Sequence, residues 1–312
     1  MLPMTTMAIH GKTRVVGVFG DPVEHTLSPP MQNRAFAAMG LPYVYVPWHV
    51  SAEYLADAVA AIRALRLKGV NVTIPHKVAV LDLLDEVTPQ ARLIGAVNTI
   101  ENRNGRLIGH NTDAPGFLRS LVEETGVTPE GQRFLLLGAG GAARAIAVQL
   151  LLSGARSLVL ANRSLARAQQ LCQFLDGLVP QTHVEAIALN TQSEEFLQAL
   201  VHADVLVNTT SAGMYPHHKE PPLVSADLLR RELLVCDIVY TPRRTALLKE
   251  AERAGCRVLS GLGMLAHQGA LAIEIWTGRQ APVELMKQTL DEELAKREKE
   301  IDVSEGGCNV RD

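Results

Sequence analysis

Apolar residues in this chain come in runs of four or five, each followed by a longer stretch where apolar positions recur every three or four residues. Short runs of that kind read as buried strands and the longer stretches as amphipathic helices, so their alternation predicts β-α-β units around a mostly parallel sheet. Residues 15–19 predict the first strand. Ser28-Pro29-Pro30 then opens a helix that runs through Met39 and ends at Gly40, with Ser28 as its N-cap and proline just inside the start. Residues 43–46 and 70–73 read as further strands around a helix at 53–65, and another helix is expected over 76–84. Residues 97–100 and 107–108 read as two strands joined by a turn at 102–105.

The pattern then breaks. Asp113 is expected to cap a helix running to about Glu124, and Thr128-Pro129-Glu130-Gly131 interrupts the chain. A second series opens at residues 134–137 and continues through strands near 158–161, 184–188, 205–208 and 234–238. The fold expected is therefore α/β in two domains, with the boundary between Asp113 and Gly131. The segment after Ala281 is helical in pattern, and its densely charged end, 299–312, is expected to fray as a tail.

Composition narrows the class. With 312 residues, 47% hydrophobic and 20% charged, the chain can build two cores and matches soluble globular proteins. A net charge of −3 favours neither nucleic acid nor an anionic membrane as partner. The four cysteines, Cys172, Cys236, Cys256 and Cys308, form no C-x-x-C, which points to reduced thiols rather than a disulfide frame or a zinc site. With neither a signal-like segment nor a long uncharged apolar stretch, the expected location is the cytoplasm. His217-His218 lies in a proline-rich loop without further ligands at metal spacing, and His76 reads as an exposed residue at a helix start, so no metal site is expected.

Two constellations carry chemistry. The apolar run 134–137 leads into Gly138-Ala139-Gly140-Gly141-Ala142, a G-x-G-x-x-A spacing that suits dinucleotide binding. There Gly138 makes the tight turn, Gly140 lets backbone N–H groups approach a pyrophosphate, and the following helix adds its N-terminal partial charge. At the end of the next strand an NAD site usually carries Asp or Glu. This chain has Asn162, Arg163 and Ser164, with Arg167 one turn on, which favours the 2′-phosphate of NADP. Solvated helix-start charges are the competing reading of the two arginines. The second constellation is Asn71-Val72-Thr73-Ile74-Pro75-His76-Lys77 with Asn98 and Asp113. A lysine and an aspartate in a cleft can hold and move a proton on an alcohol or ketone oxygen, while Thr73 and Asn98 offer uncharged hydrogen bonds.

In this order the motifs resemble the shikimate dehydrogenase family across nearly the whole chain. The matching blocks are 20–33 (GDPVEHTLSPPMQN), 71–77 (NVTIPHK), 95–99 (GAVNT), 111–113 (NTD), 138–144 (GAGGAAR) and 162–167 (NRSLAR). They continue with 208–214 (NTTSAGM), 240–247 (YTPRRTAL) and 261–278 (GLGMLAHQGALAIEIWTG). The resemblance implies NADP-linked interconversion of 3-dehydroshikimate and shikimate, with Lys77 and Asp113 as the catalytic pair. It also implies that Thr26, Ser28, Thr73 and Tyr240 bind the substrate carboxylate, and that Asn98, Asp113 and Gln268 bind ring hydroxyls. Val239 and Gly261 would join the glycine loop at the cofactor. The implied architecture is a discontinuous catalytic domain, 1–113 with 264–298, around a Rossmann-type NADP domain, 114–263, with the site in a cleft between them and a small molecule as partner of a monomer or homodimer.

Two positions depart from the family pattern. Thr26 stands where serine is usual, and Gln32 where most members have histidine, and the run from Ser28 to Pro42 resembles the quinate/shikimate dehydrogenase branch more closely. Acceptance of quinate as a second substrate therefore stays open, because a pocket not built to exclude an extra hydroxyl rejects it only weakly. A non-catalytic, NADP-sensing regulator is the alternative from another class, against which the intact Lys77, Asp113, Asn98 and Gln268 speak.

Overall fold

A computed structural model describes residues 9–179 and 182–306. The chain forms two compact units, the first comprising the residues up to Thr112 together with Ala266–Lys296, the second Asp113–Leu265 and the chain from Arg297.

The first unit contains β1 (Arg14–Gly20), α1 (Ser28–Ala38), β2 (Tyr43–His49), α2 (Leu55–Ala64), β3 (Gly69–Val72), β4 (Glu86–Val87), α3 (Pro89–Ile94), β5 (Thr99–Arg103) and β6 (Arg106–His110). Its sheet has the order β2-β1-β3-β5-β6-β4, and β5 alone runs against its neighbours, so the sheet is mostly parallel. The outermost position of β2 explains how this strand continues through Pro47, since an edge strand tolerates a missing N–H. Strands β5 and β6 close on Asn104-Gly105, whose φ values of 55° and 92° suit the two-residue hairpin turn favoured by that dipeptide.

Three local expectations need correction. Residues 79–83 form a 3-10 turn in place of the helix expected over 76–84. Tertiary bonds claim that backbone, since the Lys77 carbonyl accepts from the Val97 N–H and the Asp85 N–H donates to the Leu107 carbonyl. Leu27, not Ser28, occupies the N-cap of α1, and the hydroxyl of Thr26 accepts the Ser28 N–H at 3.2 Å. Helix α3 is not among the elements the apolar pattern predicts, although Thr88-Pro89 is a good start signal: the Thr88 hydroxyl accepts from the Ala91 N–H.

The second unit contains α4 (Asp113–Thr125), β7 (Arg133–Leu137), α5 (Gly141–Leu152), β8 (Ser157–Asn162), α6 (Leu165–Asp176), β9 (His183–Ala188), α7 (Glu194–His202), β10 (Val205–Asn208), β11 (Leu234–Asp237), α8 (Ala246–Arg253) and β12 (Arg257–Ser260). All six strands are parallel in the order β9-β8-β7-β10-β11-β12. That is the doubly wound dinucleotide-binding order, whose direction reverses between β7 and β10. Leu135, Leu136 and Leu137 are fully buried, as a central strand covered on both faces requires.

Two helices complete the chain. Helix α9 (Gly261–Thr277) begins in the second unit and belongs to the first from Ala266, and α10 (Val283–Gly306) follows it. Within the first unit the Trp276 indole N–H donates to the Ile100 carbonyl at 3.0 Å. Gly69 permits this approach, because a Cβ there would fall on the indole. The tail expected at 299–312 is helical to Gly306, and residues 307–312 lie outside the described residues.

Candidate active site

In the first unit the residues singled out from sequence meet in one buried polar chain. Asn71 sits at a buried position of β3, between Val70 and Val72. Its Oδ1 accepts from the Tyr45 hydroxyl at 2.8 Å, and its Nδ2 donates to the Thr99 hydroxyl at 2.9 Å and the Asn98 carbonyl at 3.2 Å. The Asn98 side chain donates to the Thr112 hydroxyl at 2.9 Å and accepts the Thr112 N–H at 2.7 Å. At the other end Ser28 hydrogen-bonds the Tyr45 phenol, which burial pushes far above its ordinary pKa. Ser28 and Asn98 are thus linked through Tyr45, Asn71 and Thr99. Such a chain fixes side chains more firmly than its separate bonds would, because Tyr45, Asn71, Asn98, Thr99 and Thr112 are all buried and hydrogen-bonded, with Ser28 half-buried at its end.

The turn after β3 is fixed as well. The Thr73 N–H donates to Phe19 O, and the His76 N–H closes the turn on Thr73 O, both at 2.9 Å. A side chain at Gly20 would collide with the Thr73 methyl, 2.5 Å from a Cβ built there, so glycine admits this approach. His76 is buried, contrary to its expected exposure, and its Nε2 lies 2.6 Å from the Val50 carbonyl. That contact holds the turn to the end of β2. Lys77 follows it and is only partly exposed.

Gln268 lies buried on α9. The carbonyl of the next residue, Gly269, accepts from the Gln32 side-chain amide of α1 at 3.1 Å. The other amide atom of Gln32, Oε1, is buried without a hydrogen-bond partner among the described residues. The departure at position 32 therefore concerns the seat of Gln268, and α1 and α9 carry Ser28 and Gln268 on one packed pair.

Asp113 and Tyr240 belong to the second unit. Asp113 lies in the first turn of α4, where a carboxylate suits the helix dipole. Burial raises the Tyr240 pKa, the charge of Arg297 opposes the shift, and the charge of Asp113 adds to it.

The glycine loop stands at the switch between β7 and β10. Gly138 has φ 114°, and a Cβ there would lie 2.7 Å from the Thr209 hydroxyl and 3.0 Å from the Thr210 methyl, so glycine is required by both conformation and space. Gly140 and Gly141 are exposed and face open space, and Ala139 and Ala142 lie half-buried beside them. The N-terminal N–H groups of α5 thus have an uncovered cradle suited to an anion, which fits a dinucleotide pyrophosphate. At the end of β8 the Asn162 amide donates to the Ser164 carbonyl at 2.9 Å, holding the turn that carries Arg163. Arg163, Ser164 and Arg167 are exposed, and neither arginine forms an ion pair with a described residue. Arg144 is occupied differently, with its guanidinium 4.0 Å over the Phe174 ring.

Val239 is buried, its N–H bonded to Asp237 at 3.0 Å, and a Cβ on Gly261 would collide with the Ile238 backbone. Asp237 is not among the residues that the sequence motifs single out. It is a carboxylate 1% exposed, with a pKa raised by burial to about 6. Its signal was available: an acidic residue closing the apolar run Leu233-Leu234-Val235-Cys236. Among the described residues no group of three or more His, Cys, Asp or Glu could hold a metal ion, and no helix is long and apolar enough to cross a membrane.

Comparison with known proteins matches three family models in succession. They are the shikimate dehydrogenase substrate binding domain at residues 18–100, shikimate / quinate 5-dehydrogenase at 120–246, and the shikimate 5'-dehydrogenase C-terminal domain at 261–290. Shikimate dehydrogenase (NADP(+)) of Methanopyrus kandleri is 49% identical over 289 residues, 93% of this chain and 99% of the relative. A crystal structure of a shikimate dehydrogenase in complex with NADP+ aligns with a TM-score of 0.85 at 39% identity, covering 92% of this chain and 98% of that one. Shikimate 5-dehydrogenase from Listeria monocytogenes, in complex with shikimate and NAD, aligns with a TM-score of 0.86 at 40% identity, covering 91% and 99%.

Proposed function

The chain belongs to the shikimate dehydrogenase family, and from that premise we propose that it is an NADP-dependent enzyme of the cytoplasm interconverting 3-dehydroshikimate and shikimate. The observation that carries the substrate half is the buried polar chain from Ser28 to Asn98. A polyhydroxylated ring acid needs fixed hydroxyl and amide groups that both donate and accept, and a chain already satisfied behind them costs no reorganisation when it binds. Thr26, Ser28, Thr73 and Tyr240 would take the carboxylate, and Asn98, Asp113 and Gln268 the ring hydroxyls.

NADP fits the exposed cradle at Gly138, Ala139, Gly140, Gly141 and Ala142, with Asn162, Arg163, Ser164 and Arg167 at its 2′-phosphate and Val239 and Gly261 on the loops nearby. When bound, it supplies or accepts the hydride. The work of the chain is at the carbonyl oxygen. As that oxygen gains negative charge, the Lys77 ammonium stabilises it and donates the proton, and in the reverse direction the amine takes the proton back. Asp113 accepts from a substrate hydroxyl and keeps the site's charge balanced. No observation favours the quinate-accepting or the regulatory alternative. The reading is tested by Lys77→Ala, which should abolish most turnover while leaving NADP+ binding intact; turnover at the wild-type rate would remove Lys77 from the chemistry.

A further inference from the structure

The carboxyl end of the second sheet holds a buried charge that the chemistry above does not use. Asp237 closes β11 and receives three neutral donors. Its Oδ1 accepts from the Asn208 amide at 2.9 Å and the Val239 N–H at 3.0 Å, and its Oδ2 accepts from the Thr245 hydroxyl at 2.7 Å. Each donor belongs to a different segment. Asn208 ends β10, and its Oδ1 accepts both the N–H and the hydroxyl of Thr210, at 3.0 and 2.7 Å, setting the loop that follows. Thr245 caps α8, its oxygen also accepting from the Leu248 N–H. Val239 is the residue before Tyr240. Two backbone bonds tie the same loops together, Ile238 N–H to Asn208 O at 3.1 Å and Tyr215 N–H to Thr241 O at 3.0 Å.

We propose that Asp237 is a positioning residue for the reaction, a clasp that holds the loops after β10 and β11 and the start of α8 so that Val239 and Tyr240 present to cofactor and substrate. The proposal rests on the family reading above and deepens it, because it assigns a role to a buried residue whose carboxylate is engaged by protein donors. Packing alone does not require a carboxylate here. Burial is the largest influence on Asp237 and raises its pKa to about 6, while the three donors oppose the rise. Nothing cationic contributes to that balance, and the titratable group that feels its charge is the adjacent Cys236 thiol, itself driven up by burial and by Asp237. A neutral residue would avoid the cost of burying this charge, but it could not accept from three donors at once. Protonation puts a hydrogen on one carboxyl oxygen: on Oδ1 it meets two donors, and on Oδ2 it reverses the bond to the Thr245 hydroxyl, which already accepts from the Leu248 N–H, so the clasp loses the charge its three bonds share.

The test compares wild type, Asp237→Asn, Thr245→Val and Thr245→Ser. For each, KM and kcat for shikimate are measured from pH 5 to 8, with NADP+ binding by calorimetry and a thermal melt. The proposal predicts that D237N and T245V raise KM for shikimate about tenfold at pH 8, the scale of one lost bond to a charged group, with kcat changed far less. T245S, which keeps the hydroxyl, should behave as wild type. In wild type the KM should rise as the pH falls through about 6, and in D237N it should stay at its raised value throughout. If D237N does not fold, the T245V and T245S pair decides alone. Unchanged KM in T245V, or the same acid rise in D237N as in wild type, overturns the clasp while leaving the enzyme reading intact. A wild type that binds NADP+ but does not turn over shikimate overturns the enzyme reading and the clasp with it.

Discussion

Removing the Arg163 guanidinium should separate NADP+ from NAD+ in a way that no fold defect can mimic. Arg163 follows β8 directly, Arg167 lies in the first turn of α6, and both are exposed without an ion-pair partner among the described residues. A phosphate monoester brings a charge of about −1.5 to −2 at neutral pH. At about 4 Å a unit pair is worth ~1 kcal/mol in bulk water and ~4 kcal/mol at the effective dielectric of a protein surface. Because both arginines are open to solvent, the full ~4 kcal/mol does not apply, and the ~1.5–3 kcal/mol typical of a hydrogen bond to a charged group sets the scale. Arg163→Ala should therefore weaken NADP+ binding by roughly 10- to 150-fold, and NAD+, with a hydroxyl at that position, by less than about threefold. The melting temperature should hold, since surface substitutions that break no protein contact stay within about 0.5 kcal/mol. Titration calorimetry with both dinucleotides at fixed ionic strength reads the difference. Equal losses for NADP+ and NAD+ would refute the 2′-phosphate assignment and return the arginines to solvated helix-start charges.

Other outcomes follow from the same geometry. Lys77→Ala should lower kcat by roughly 10²–10⁴-fold, the worth of a positioned acid–base group, with a small change in KM measured by initial rates. Gly138→Ala should destabilise the fold by about 2 kcal/mol or more in urea unfolding, because φ 114° and the Thr209 and Thr210 contacts penalise a side chain together. Stability against pH tests Asp237 separately. Its folded pKa of about 6 lies above the ordinary 3.8, so the folded state binds the proton more tightly and the penalty of the buried charge is absent below 3.8 and complete above about 6. The unfolding free energy of wild type minus that of D237N should therefore rise by roughly 2–3 kcal/mol between pH 7 and pH 4. A difference that stays flat or falls would show that the carboxylate is not strained by burial.

Much of this molecule was legible in its sequence because the signals were local. The fully apolar run before Gly138, the glycine spacing and the arginines at 163 and 167 each depend on near neighbours, and the doubly wound sheet followed. What escaped depended on distant partners. The segment 76–84 has a pattern that suits a helix, yet the carbonyl of Lys77 and the N–H of Asp85 are claimed by Val97 and Leu107 from other strands. His76 reads as exposed because nothing in its vicinity predicts the Val50 carbonyl it bonds in the interior. Asp237 escapes for a different reason: a carboxylate ending an apolar strand reads as solvated, and two of the three donors that surround it come from other segments.

The most direct measurement of the central claim is the initial rate with four pairs, shikimate or quinate with NADP+ or NAD+, followed through the absorbance of the reduced nicotinamide. Strong preference for shikimate with NADP+ is expected, with a large loss of rate when either component is exchanged. Comparable turnover of quinate, or equal rates with NAD+, would contradict it.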